Sequence, residues 1–144
     1  MSKLFKILSG LLLVGLIAGL AVYFFVYNKP HVNYEKAKPE MSISGETLYM
    51  DYLQDEESAN QTYTGKVVQI DGVLYGTETA GELTIAMFSF GEGMFGPEGV
   101  RCTMLENHAA TISEVGDGTQ LTIKGYVTGF NGTDVIMENC SIVD

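Results

Sequence analysis

Basic residues are scarce in this chain, with eight Lys and Arg against 18 Asp and Glu among 144 residues. Two of the eight, Lys3 and Lys6, stand at the start, and every acidic residue follows residue 27. The remainder therefore carries six positive against 18 negative groups, a formal charge of −12. Nucleic-acid binding needs a basic stripe that displaces counterions from phosphates, and no cluster of Lys or Arg occurs here. The same charge repels anionic lipid headgroups. Cysteine is limited to Cys102 and Cys140, and histidine to His31 and His108. Neither a CxxC nor a His/Cys spacing of a metal site is present, nor is an Asp-x-Asp-x-Asp-Gly calcium loop. Serines are scattered and no carboxylate pair has a recognisable catalytic context. The reading from these absences is a non-enzyme with no cofactor, no metal and no catalytic residue.

Charge is missing altogether from Ile7 to Val26. Roughly 20 residues rising about 1.5 Å each span about 30 Å, the hydrocarbon thickness of a bilayer. The competing reading is a cleaved signal peptide, whose apolar region is typically about 7–15 residues followed by a small-x-small site. Gly19-Leu20-Ala21 is the best such site, yet the apolar run continues through Val22 to Tyr27, and Tyr23 and Tyr27 suit an interfacial aromatic belt. We therefore expect residues 1–27 to be a retained single-pass anchor. No cysteine near the end of this run offers a site for a lipid anchor. The short basic start places the N-terminus inside and the body outside the cytoplasm, on the periplasmic side of the cell membrane. Gly15 and Gly19 form a GxxxG spacing through which two such helices can approach.

Residues 28–43, with Pro30, Pro39 and mixed charge, read as a linker, and residues 44–144 as one domain. Ser44 is a candidate N-cap, after which Leu48, Tyr49, Tyr52, Leu53 and Ala59 recur at three- and four-residue spacing. This predicts a helix from Glu46 to Asn60 with an acidic outer face. From Thr64 the period changes to that of strands. Lys66 to Tyr75 reads as one long strand bent at Gly72. Leu83 to Phe90, Val100 to Met104, Leu121 to Val127 and Asp134 to Val143 read as four more, the last after an Asn131-Gly132 turn. Ala109 to Val115 is weakly helical.

Five strands in this order, the first long and bent, predict a mainly β domain, a five-stranded OB-fold barrel with a leading α-helix. Val68, Ile70, Leu83, Ile85, Leu121, Ile123 and Val127 are assigned to its interior. A small β-sandwich is the alternative.

The anchor, the helix from Leu48-Tyr49 to Ala59-Asn60, the segment Tyr63-Thr64-Gly65-Lys66-Val67-Val68, Val100-Arg101-Cys102 and the closing Cys140-Ser141-Ile142-Val143 together resemble the tRNA-anticodon-like OB-fold family of small bacterial envelope proteins, of Bacteroidetes type. The resemblance spans residues 44–143 and implies fold and address; it implies no reaction or ligand.

OB domains meet ligands on the second and third strands and the adjoining loops. That places Tyr75, Phe88, Phe90, Arg101 and Phe130 as candidate ligand contacts, with the alternative that Phe88 and Phe90 pack under the helix. Gly91-Glu92-Gly93-Met94-Phe95-Gly96 matches GxGxxG, but Pro97-Glu98-Gly99 follows where a phosphate site needs a helix. Gly91 to Gly99 is read as a loop whose tip, Met94 and Phe95, either docks a protein or tucks back. Cys102 and Cys140, on strands that neighbour each other in a closed barrel, are a candidate disulfide worth about 3–4 kcal/mol, or two buried thiols. The functional expectation is a membrane-tethered extracytoplasmic module for a protein, peptide or glycan partner. A single-stranded nucleic-acid-binding domain and a purely structural envelope protein are the alternatives.

Overall fold

The structure is a computed structural model that describes residues 2–27 and 33–144, in two compact units, Met1–Val32 and Asn33–Asp144. In the first unit, α1 (Lys3–Val22) runs into a π-helical turn, Tyr23–Tyr27. Together they form the one stretch among the described residues that is long and apolar enough to cross a membrane, 25 residues whose most apolar 18 have a mean hydropathy of 2.4; a signal sequence meets the same criterion. Gly15 and Gly19 have open space where a Cβ would stand. His31 and residues 28–32 of the expected linker lie outside the described residues.

The second unit begins with a strap, residues 33–40, that lies on the body. Tyr34 packs edge-on against Tyr126, Glu35 meets Asn107 and His108, and the Ala37 carbonyl accepts from Lys124 Nζ at 2.9 Å. The strap leads into β1 (Met41–Ser44), which pairs in parallel with β2 (Val67–Val73). The described part of the expected linker is thus part of the fold, since alternate residues Met41 and Ile43 pack against the core.

Two helices replace the single one expected. Ser44 caps α2 (Gly45–Gln54), its hydroxyl accepting from the Thr47 N–H at 3.1 Å. The chain then breaks at Asp55, whose carboxylate accepts from Ser58 N–H and starts α3 (Glu56–Tyr63). Asp55 favours this break because an acidic N-cap followed by Glu56 and Glu57 suits the positive end of a new helix. The turn in direction leaves Leu53 47 % exposed, against expectation, while Leu48, Tyr49, Tyr52, Ala59 and Tyr63 are buried.

The sheet has seven strands rather than five. After β2 come β3 (Gly76–Ala80), β4 (Leu83–Gly93), β5 (Gly96–Met104), α4 (Glu106–Glu114), β6 (Gln120–Phe130) and β7 (Val135–Ile142), in the order β1-β2-β6-β7-β5-β4-β3. Its ladder is open rather than a closed barrel. The expected first strand divides between Leu74 and Tyr75: Leu74 N–H donates to Thr119 on the β6 side, and Tyr75 N–H donates to Met87 on β4. This division yields β2 and β3 at opposite parts of the sheet, and β1 supplies the seventh strand. Gly72 brings β2 against β4, since a Cβ there would stand 2.8 Å from the Phe88 ring.

Val68, Ile70, Phe88, Val100, Ile123, Val127, Val135 and Met137 fill the core, each large side chain contributing about 1.5–3 kcal/mol. The phase of β4 differs from expectation: Ala86 and Phe88 point inward, whereas Leu83 is exposed and Ile85 half-buried. Both faces of this strand carry apolar side chains, so alternation alone does not set its register. Leu121 is only partly buried.

Candidate functional site

β4 and β5 extend through most of the expected 91–99 loop. Their ladder reaches Gly93 opposite Gly96, leaving Met94 and Phe95 as a two-residue tip. These side chains are 91 % and 93 % exposed. The GxGxxG segment is therefore strand, turn and strand, with no helix start at which to seat a phosphate.

The five candidate ligand contacts do not form one surface. Phe88 is 2 % exposed, so it is a core residue and not a ligand platform. Phe90 is half-buried and faces Tyr49, with ring centroids 6.3 Å apart. Phe130 stacks on Tyr52 at 5.7 Å. Both rings thus meet α2, whereas the Phe88 ring lies against Gly72 of β2. Tyr75 is 52 % exposed and Arg101 is partly exposed, paired with Glu78 of β3. These two lie together on the β3–β4–β5 side, where Tyr75, Met87, Phe88, Pro97 and Arg101 border one small depression.

Beside the hairpin tip is an open cleft of about 200 Å³, lined by Phe95, Gly96, Pro97, Glu98, Arg101, Thr133 and Asp134. Its carboxylates are fixed in place. Asp134 accepts from the Gly99 N–H at 2.8 Å and from the Thr133 hydroxyl at 3.3 Å, and Glu98 accepts from the Tyr49 hydroxyl at 3.2 Å. Burial and this carboxylate push the Tyr49 phenol above its ordinary value. The Gly99 contact was not readable from the sequence, although the Asn131-Gly132 turn that carries Asp134 was.

A second cleft, about 240 Å³, lies between α2 and α3 and is lined by Asp51, Gln54, Asp55, Ser58, Ala59, Thr62 and Tyr63. Its acidic groups already serve the fold. Tyr63 donates to Asp51 at 2.5 Å, and burial together with that carboxylate pushes its phenol up to about 12. Among the described residues no group of three or more His, Cys, Asp and Glu is placed to hold a metal.

Cys102 and Cys140 are on paired strands, as expected, but both thiols are free and fully buried, and the disulfide is not formed. Burial first, and then the adjacent Cys102, push the Cys140 thiol up, which suppresses the thiolate that disulfide formation requires. His108 is a fastening point: its Nε2 lies 3.0 Å from Glu35, and its Nδ1 accepts from the Ile142 N–H at 3.4 Å. Hydrogen bonds from His108 and Asn107 hold the Glu35 carboxyl below its ordinary value.

This open, helix-capped sheet defines a class of small OB-type domains. The chain belongs to the tRNA_anti-like family, which it matches over residues 1–142. No curated protein matches it. Among solved structures, a Klebsiella pneumoniae lipoprotein to which nucleic-acid binding is ascribed is 16% identical, with a TM-score of 0.54 over 72% of this chain and 91% of that one. Asparaginyl-tRNA synthetase from Pyrococcus horikoshii is 16% identical, with a TM-score of 0.39 over 58% of this chain. Aspartyl-tRNA synthetase from Entamoeba histolytica is 11% identical, with a TM-score of 0.45 over 81%. The matched parts are 21% and 28% of those synthetases.

Proposed function

We propose that the protein is a non-catalytic binding module of OB type, tethered to the cell membrane by residues 1–27 and facing the extracytoplasmic space, where it holds a protein or peptide of the cell envelope. The observation that carries this reading is the β4–β5 tip. Two adjacent large apolar side chains there stand almost wholly in solvent, on a hairpin whose ladder runs back to the core with one irregularity between Ser89 and Gly91. Exposed apolar patches on a soluble surface mark interaction sites. The lipoprotein relative, whose fold this chain shares over most of its length, is consistent with an envelope address. The strap adds support, because the fold begins at Asn33, a few residues beyond the apolar helix.

An oligonucleotide reading draws on the role ascribed to that relative, with Tyr75 and Arg101 as contacts. It is the weaker one. Among the described residues Arg101 is the one cation bordering either depression on this side, and it is already paired with Glu78. Phe88, the platform it needs most, is buried.

The test is recovery of the intact protein from its native membranes, with an anchor-swapped control and a Met94→Ser/Phe95→Ser double variant. A partner enriched over the control and lost with the variant supports the reading. No enrichment, or enrichment indifferent to the tip, overturns it, and recovery of the full-length chain from the soluble cytosolic fraction overturns the address.

A further inference from the structure

Charge is unevenly spread over the second unit. Lys36 and Lys38 lie in the strap, Lys66 directly precedes β2, and Lys124 sits on β6 holding the strap. On the β3–β4–β5 side Arg101 stands alone among Glu78, Glu82, Glu92 and Glu98, with Asp134 closing the cleft. Pairing with Glu78 cancels its charge, so the field around the tip is negative. An anionic ligand of any kind, phosphate backbone or lipid headgroup, meets repulsion there.

Size narrows the choice further. Small-molecule sites are typically about 300–1,000 Å³ and enclose their ligand, whereas this open cleft is about 200 Å³. Such a volume seats a side chain or two of something larger. Its floor joins apolar to acidic groups, because Phe95 and Pro97 stand beside Asp134 and Glu98. The hydrogen bonds from Gly99, Thr133 and Tyr49 hold these carboxylates in position and leave acceptor sites over, since a carboxylate offers about four.

We propose that the hairpin tip and this cleft receive a polypeptide segment in which an apolar side chain is flanked by Lys or Arg. The apolar group lies between Phe95 and Pro97, and the flanking cations face Asp134, Glu98 and the exposed Glu92. Contact with Met94 and Phe95 supplies most of the affinity. The carboxylates set partner choice and association rate, as exposed charges do. This inference rests on the proposed binding role and adds the chemistry of the partner.

The experiment uses the full chain in nanodiscs of zwitterionic lipid, with empty nanodiscs as the reference. The probe is a fluorescent Gly/Ser peptide carrying one Leu flanked by Lys. Its binding is expected to weaken with salt and to fall by about tenfold or more in Met94→Ser/Phe95→Ser. Glu92→Lys is expected to weaken it less, and a peptide with Glu in place of Lys is expected not to bind. Equal binding of the Glu peptide, insensitivity to the tip variant, or direct binding of a fluorescent oligonucleotide to the full chain overturns the proposal. A photo-crosslinker at position 95 in native membranes separates this failure from that of the binding role. Crosslinks displaced by the Lys peptide support both, crosslinks that it does not displace sink the partner chemistry alone, and absence of crosslinks sinks both.

Discussion

Aromatic side chains under the helices and at the hairpin tip live in opposite surroundings. On the inner side of α2 and α3, Tyr49 tilts against Phe90 and Tyr52 tilts against Tyr63 and stacks on Phe130, and each of the three phenols donates to or shares a hydrogen bond with a named partner, Glu98, Thr64 or Asp51. A few residues along the same strand from Phe90, Met94 and Phe95 have neither cover nor partner. Both regions are apolar in sequence. Their difference teaches that composition identifies the material of a core or a docking surface, while the chain's geometry decides which it becomes.

Five measurements sharpen or break this contrast. Phe88→Ala should destabilise the body by about 3–5 kcal/mol in urea unfolding of the full chain, as expected for a buried ring whose cavity cannot collapse. Tyr52→Phe, which removes only the hydroxyl shared with Thr64, should cost about 0.5–1.5 kcal/mol, and Ser44→Ala should cost about 1 kcal/mol through the lost N-cap. At the tip, Phe95→Ser should move stability by no more than about 0.5 kcal/mol. A tip variant as damaging as Phe88→Ala would mean that the hairpin folds back on the body, ending the contrast.

The fifth measurement concerns the strap. Glu35 titrates below its ordinary value of 4.5 in the folded protein, so its contribution is present above that value and is lost as pH falls through the lower folded one. The Tyr34–Tyr126 ring contact, followed by nuclear Overhauser effects, should therefore weaken in acid below 4.5. Global unfolding should not accompany it. Glu35→Gln should remove this pH dependence.

Legibility in the sequence followed the strength of the local signal. The Ser44 cap, the burial of Leu48, Tyr49 and Tyr52, and the inward set Val68, Ile70, Ile123 and Val127 were readable, because each rests on a short-range rule. Asp55 was not, since an acidic residue on a helix's outer face and an N-cap between two helices look alike in one dimension. β4 has apolar residues in both phases, so which of Leu83 or Phe88 faces inward depends on partners far along the chain. Phe88 went to the core for that reason. β1 escaped notice because four residues after Pro39 take their strand character from pairing with β2. The tip was found as residues but misjudged as a loop, because glycine-rich sequence hides a ladder made by backbone groups alone.

The strap and β1 also determine how the body answers a mechanical load. A pull applied ahead of Asn33 acts first on the side-chain contacts of the strap, Tyr34 on Tyr126, Glu35 with Asn107 and His108, and then Lys124 to the Ala37 carbonyl, and only afterwards on the Glu40–Val67 hydrogen bond and the parallel ladder of β1 with β2. These fastenings yield one at a time, like stitches in a seam, so the attachment stretches by graded steps before tension reaches the tyrosine-rich interior.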